Sequence, residues 1–238
     1  MHGLWAIRYH PSRMTWWVHE LVQQGRYVEL ISWIVWVLLS ITLHELAHGW
    51  AAIWQGDDTP IRYQRMTANP VVHMGWHSLI MFALVGIAWG VMPVDPSRFR
   101  WRRRGRIVVS GAGPAMNVLL AFVSLTALAL WIAYGPTGND TFFNNMVIFL
   151  SLGGMLNIVL ALFNLLPVPP LDGTSILSGM SFRAYRFFES QQVQMFGFFI
   201  VLVLFISGIG GVLFAAADAL GMRYVMALLD VLPGGHGA

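Results

Sequence analysis

The stretch 31-ISWIVWVLLSITLHELAHGW-50 decides the fold. It lies within a nearly unbroken apolar run from Val28 to Trp54, long enough to cross about 30 Å of hydrocarbon as one helix. Yet His44, Glu45 and His48 crowd into five of its residues. An ionisable group near the centre of a membrane helix costs about 2.5 to 3.5 kcal/mol, so three of them together call for a function. Residues four apart share a helical face. His44 and His48 can therefore grip one ion, while Glu45 on the adjoining side can take a proton from water. These ligand types suit zinc. The bland alternative has the histidines capping or snorkelling at a water-facing helix end, and the apolar turns before them argue against it.

Composition agrees with a bilayer setting. Of 238 residues, 57% are hydrophobic and 11% charged, against about 25% charged in a soluble domain, which leaves too little polar side chain to cover a water-soluble body. A mean hydropathy of +0.63 points the same way. Fourteen arginines and no lysine outweigh eleven acids to give +3, but six of the arginines lie between Arg98 and Arg106. Flanked by apolar segments, that cluster reads as a membrane-side anchor, with no nucleic acid as partner. The absence of cysteine excludes disulfides, thiolate ligands and cysteine nucleophiles.

Working outward, residues 1–27 mix charges with Trp5, Trp16 and Trp17 and read as an interfacial segment rather than a signal peptide. Apolar runs at 28–54, 106–134, 143–168 and 193–214 make four transmembrane spans within a core of residues 28–214. Residues 135–142 form a turn, 173–192 an amphipathic surface segment and 215–238 an amphipathic C-terminal tail. The expected fold is an all-α polytopic membrane protein, a helical bundle.

A hydrolytic zinc site has three protein ligands and water, so a third ligand is needed. Candidates are Glu29, Asp57, Asp58, His73, His77, Asp95, Asp172 and some remote acids. Asp172 stands out because it ends 164-NLLPVPPLDG-173, where three prolines and a glycine break an apolar span. Irregular backbone at membrane depth must line protein or a water-filled cavity. Asp172 could equally cap the next helix. His73 and His77 follow Asn69-Pro70 in what reads as a polar loop, as solvated or supporting histidines.

His44-Glu45-Leu46-Ala47-His48, Asn69-Pro70-Val71-Val72-His73, Gly113-Pro114-Ala115-Met116-Asn117 and Asn164 through Gly173 follow one another in an order that resembles the site-2 protease family of intramembrane zinc metalloproteases, in its compact prokaryotic form. The resemblance covers about residues 40 to 180. It implies a Zn2+-dependent endopeptidase with His44, His48 and Asp172 as metal ligands and Glu45 as general base. Where that family often carries a lysine, this chain has Val91-Met92.

Topology follows from parity. If residues 77–94 crossed the bilayer, the arginines and Asn117 would fall on the side opposite the histidines. A re-entrant hairpin, with breaks at Gly86, Gly90 and Pro93, removes the odd crossing, while an ordinary short fifth span remains the alternative. The positive-inside rule then puts the active site of this multi-pass cell-membrane protein toward the cytoplasm. Its expected partners are the lipid bilayer and another protein's transmembrane segment as substrate. Asn117 and Asn164 are candidates to hold that substrate or its oxyanion, or else simply join helices. A non-catalytic scaffold or a metal transporter would need no Glu45. Proteases that act on soluble peptides take a downstream glutamate as third ligand, and the only one here is Glu189.

Overall fold

A helix satisfies its own backbone, which is why a chain this apolar builds its regular structure from helices. Among the residues described by the computed structural model, 17–136, 141–206 and 209–232, all regular structure is helical. Residues 1–16, most of the interfacial segment, lie outside the described residues, as do 137–140 of the turn and 233–238 of the tail. The helices are α1 (Trp17–Gln23), α2 (Tyr27–Trp54), α3 (Thr59–Arg62), α4 (Pro70–Val85), α5 (Arg103–Tyr134), α6 (Thr141–Asn164), α7 (Asp172–Met180), α8 (Phe182–Phe188), α9 (Gln191–Ile206) and α10 (Ile209–Val231). The protein is an all-α polytopic membrane bundle.

Four helices are long and apolar enough to cross a membrane: α2, α5, α6 and residues 210–231 of α10. The number matches the sequence reading but the fourth member does not. The apolar run at 193–214 divides between α9, only 16 residues long, and α10, which continues across the expected boundary at 214 into the stretch read as a tail. Tyr224, Val225, Leu228 and Leu229 pack α10 on Leu125 and Leu128 of α5 and Val147 of α6. Three charges spread over its length masked this span in the sequence.

Helix α2 is the most enclosed span. Trp36, Val37 and Ile41 pack with Met74 and Phe82 of α4 and Leu156 of α6, and the Trp36 indole donates to the Phe149 carbonyl at 2.8 Å. Outward faces carry Val118, Leu119, Phe122 and Val123, more than half exposed, as a lipid-facing surface should be.

The segment from Asn69 corrects one expectation and supports another. Asn69 and Pro70 do not open a loop. They are the N-cap and first residue of α4, with the Asn69 side chain accepting from the Val71 N–H at 3.0 Å, the standard use of Asn before Pro at a helix start. Helix α4 then ends at Gly86, whose φ of 81° needs the freedom of glycine and turns the chain back. The returning stretch lies against α4. Ser78 Oγ accepts from the Trp89 N–H and donates to the Trp89 carbonyl, and the Val91 N–H donates to the His73 carbonyl at 3.0 Å. These bonds satisfy irregular backbone that lipid could not.

The hairpin closes on the end of α2 from which it left. The Asp95 N–H donates to the buried Asp57 Oδ2, Arg98 pairs with Asp58 at 2.9 Å, and the Arg100 and Trp101 N–H groups donate to the carbonyl and side chain of Gln55. Ser97 N–H and hydroxyl bonds, with Arg98 beside them, hold the Asp95 carboxyl below its ordinary value. Residues 70–95 therefore leave the end of α2 and return to it. Single cysteines replacing Tyr63 and Arg104 should react with a membrane-impermeant maleimide from one side, and a cysteine at Tyr134 from the other; opposite labelling of the first two would mean a full crossing.

Candidate metal centre

His44 and His48 stand one turn apart on the buried face of α2, with rings nearly perpendicular and centroids 4.6 Å apart. Each ring is held from behind. His48 Nδ1 lies 2.7 Å from the Val109 carbonyl and His44 Nδ1 lies 2.6 Å from Asn117 Oδ1, both on α5. A carbonyl oxygen only accepts, so in the neutral rings both Nδ1 atoms carry the proton and both Nε2 atoms are bare lone pairs. Pro114 lacks the N–H that the Ser110 carbonyl would otherwise accept, and Ser110 follows Val109, whose carbonyl accepts from His48.

Those two lone pairs face each other at 3.0 Å. Asp172 adds a carboxylate, Oδ2 at 3.2 Å from His44 Nε2 and Oδ1 at 3.3 Å from His48 Nε2. Three electron-rich atoms so close repel unless a positive charge joins them. Asp172 Oδ2 is also buried and has no hydrogen-bond donor among the described residues. A tetrahedral ion with ligands at about 2.0 to 2.1 Å sets its ligands about 3.3 to 3.4 Å apart, close to the three separations here. His44, His48 and Asp172 thus fit a metal ion, and they form the one cluster of three such side chains among the described residues.

Room for the ion comes from Gly113 of α5. A Cβ there would stand 2.4 Å from His48 Nε2 and 2.5 Å from His44 Nε2. Asp172 is delivered by the break after α6. It is the first residue of α7, and its carboxylate turns to the histidines instead of capping the helix. Gly173 lets that first turn rest on the Leu165 and Leu166 carbonyls, 2.3 and 2.5 Å from where a Cβ would be. The centre is deep. His44 is ten residues and His48 six from the end of α2, about 15 and 9 Å along the axis.

Glu45 is 7% exposed and lies against the returning half of the hairpin: a Cβ on Gly90 would meet its Oε1 at 2.6 Å. The other candidate ligands are engaged elsewhere. Glu29 pairs with Arg26 about 22 Å along α2 from His44. Asp57 accepts from Thr59 and Asp95, Asp58 pairs with Arg62 and Arg98, and Asp95 accepts from Ser97. His77 is exposed, whereas His73 is buried, with Nε2 on the Thr67 carbonyl at 2.6 Å and Nδ1 without a partner.

The two asparagines separate. Asn117 is fully buried, its oxygen on His44 and its amide nitrogen donating to Asn157 Oδ1 at 2.9 Å, a bond that joins α5 to α6. Asn164, the last residue of α6, donates to the Leu160 carbonyl and stays half-buried. Asn157 escaped the sequence reading; its only signal was an amide in the middle of an apolar span.

Replacing His44, His48 or Asp172 by Ala should lower bound divalent metal per purified chain, measured by atomic emission, while His73→Ala and His77→Ala keep it. Gly113→Ala should lower it too, although glycine is no ligand. Loss in His73→Ala with retention in Asp172→Ala would reject this ligand set.

Comparison with known proteins agrees with this geometry. The model of Peptidase family M50 matches residues 131–208. The chain is 37% identical over 178 residues to "Putative zinc metalloprotease YwhC" of Bacillus subtilis, covering 74% of this chain and 81% of the relative. It is 29% identical over 218 residues to the Rip2 protein of Mycolicibacterium smegmatis, covering 85% and 77%, and that relative's name also reads as a zinc metalloprotease. No solved structure matches the chain. With its HExxH on a buried span and a relative this similar over most of both lengths, the chain belongs to peptidase family M50.

Proposed function

We propose that the chain is a zinc-dependent endopeptidase that hydrolyses peptide bonds in or next to the transmembrane segments of other membrane proteins. The observation that carries this reading is the lone-pair cluster of His44, His48 and Asp172 inside an apolar bundle, with Glu45 beside it. His44, His48 and Asp172 would hold the ion. When bound, it supplies Lewis acidity, polarising a peptide carbonyl and making water easier to deprotonate. Glu45 takes the proton of the attacking water and returns it to the leaving amine.

The hairpin supports a substrate bound as a strand. Both backbone groups of Trp89 and the Val91 N–H turn to α4, so by the alternation of extended chain the backbone groups of Gly90 and Met92 turn away from it, in a stretch whose Gly90 lies against Glu45. An unwound segment pairing there would bring its scissile bond past the carboxylate. Of the two asparagines, the half-buried Asn164 is the more accessible side-chain candidate to hold it, Asn117 being fully buried. The arginines at 98–106 share an end of the bundle with Gln55 and Asp58, and by the positive-inside rule that end, with the metal centre, faces the cytoplasm.

Glu45→Gln should keep bound zinc and lose at least about 10²-fold in hydrolysis, since an amide does not accept the proton; turnover near wild type would overturn the assignment. Because a helical peptide bond is wrapped by its neighbours, cleavage should follow local unwinding. A Gly in place of Leu near the scissile bond lowers the unwinding cost by about 1 kcal/mol, up to about fivefold in rate, and paired model substrates in detergent and bilayers measure this. Equal rates would remove the unwinding requirement.

A further inference from the structure

Seven residues before the Asn164–Gly173 motif and part of no motif itself, Asn157 sits fully buried within α6, one turn beyond the paired glycines Gly153 and Gly154. Those glycines bring α6 close. A Cβ on Gly153 would stand 2.2 Å from the Trp36 indole of α2, and one on Gly154 would stand 2.3 Å from Leu125 of α5. At that separation the Asn157 amide spans the gap. Its nitrogen donates to the Gly153 carbonyl at 2.9 Å, and its oxygen accepts from the Asn117 amide nitrogen at 2.9 Å. Asn117 in turn presents its oxygen to His44 Nδ1 at 2.6 Å.

The direction of this chain of bonds is fixed at its far end. An asparagine amide can be turned over, exchanging donor and acceptor at little change in shape. The Gly153 carbonyl can only accept, so the Asn157 nitrogen must face it and the Asn157 oxygen must face Asn117. Asn117 then has no choice either: its nitrogen points to Asn157 and its oxygen to His44. Turning over either amide sets two oxygens or two N–H groups against each other. We infer that Asn157 is a positioning residue for the metal centre, relaying the acceptor character of the Gly153 carbonyl through Asn117 so that His44 keeps its proton on Nδ1 and offers Nε2 as a lone pair. Without Asn157, Asn117 is free to turn its N–H groups to His44, drawing the proton to Nε2, where it blocks the ion. His48 needs no such relay, since the Val109 carbonyl holds it directly.

This inference rests on the metal reading proposed above, and the test keeps the two apart. Zinc affinity of the full-length protein in detergent is measured by chelator competition, with Co2+ absorption reporting ligand geometry. Stoichiometric, tight zinc binding by the wild type is required by the metal reading; its absence defeats that reading first. Given it, Asn157→Leu should weaken zinc by about tenfold or more, the range found when the groups behind a metal-binding histidine are removed. The decisive variant is Asn117→Asp. A carboxylate has two equivalent acceptor oxygens and cannot present N–H, so His44 stays correctly protonated whatever stands behind it. In that background Asn157→Leu should change zinc affinity less than twofold. A penalty of the same size in both backgrounds means that Asn157 only joins helices, and unchanged affinity in Asn157→Leu itself also overturns the relay. Histidine 15N spectra of the metal-free wild type, compared with His44→Gln for assignment, need no folded Asn157 variant: His44 should appear as the Nδ1–H tautomer, and an Nε2–H tautomer refutes the inference.

Discussion

Hydrocarbon offers no hydrogen bonds, so each polar group carried into it must find its partner within the protein. Much of this architecture answers that constraint. Long helices satisfy their own backbone. The hairpin at 70–95, where the chain leaves helical geometry, is sewn to α4 by Ser78 and by the His73 carbonyl, and to the end of α2 by Asp57 and Gln55. Asp57, fully buried, has both oxygens occupied by backbone or hydroxyl donors. Among the described residues the buried polar atoms left without a partner are Ser40 Oγ, His73 Nδ1, Thr174 Oγ1 and, at the metal centre, Asp172 Oδ2. At the metal centre the surplus is of one kind: lone pairs.

That surplus is produced by backbone as much as by ligands. The Val109 and Gly153 carbonyls, neither of them a ligand, set the protons of the two histidines, one directly and one through two amides. Glycines then remove the matter that would fill the space so created. Gly113 leaves room at the two Nε2 atoms, and Gly90 leaves room for Glu45. A Gly in a helix interior costs about 0.5 to 1 kcal/mol relative to Ala. At Gly113 that local loss is the condition for the site.

What could be read in the sequence divides along the same line. His44, Glu45 and His48 announced themselves because charge in an apolar run is expensive, and the hairpin followed from requiring motifs with a shared site to share a side. The α10 span was missed because Asp218, Arg223 and Asp230 diluted an apolar pattern whose helical start lies past residue 208. The start of α4 was legible in Asn69-Pro70, a cap and a first residue, and was read as a loop because polar character outweighed that chemistry. Asn117 was found, but not its partners His44 and Asn157. An amide is donor and acceptor at once, and which end it presents is decided by Asn157, forty positions along, and by a carbonyl that no side-chain pattern records.

The energies of these contacts help to say why two asparagines lie in the middle of the bundle. Interhelical hydrogen bonds within bilayers contribute about 0.6 kcal/mol on average by double-mutant cycles and about 1 to 2 in model peptides, because the separated helices also find partners. As glue, the bond between Asn117 and Asn157 is therefore worth little, while an amide left without partners at that depth would cost more than the bond returns. Support behind a metal-binding histidine is commonly worth 10- to 100-fold in affinity, about 1.4 to 2.7 kcal/mol. The larger figure belongs to orientation. On that comparison the pair is better accounted for by what it does to His44 than by what it does to the packing of α5 on α6, and the glycines that draw the two helices together serve the metal centre before they serve the bundle.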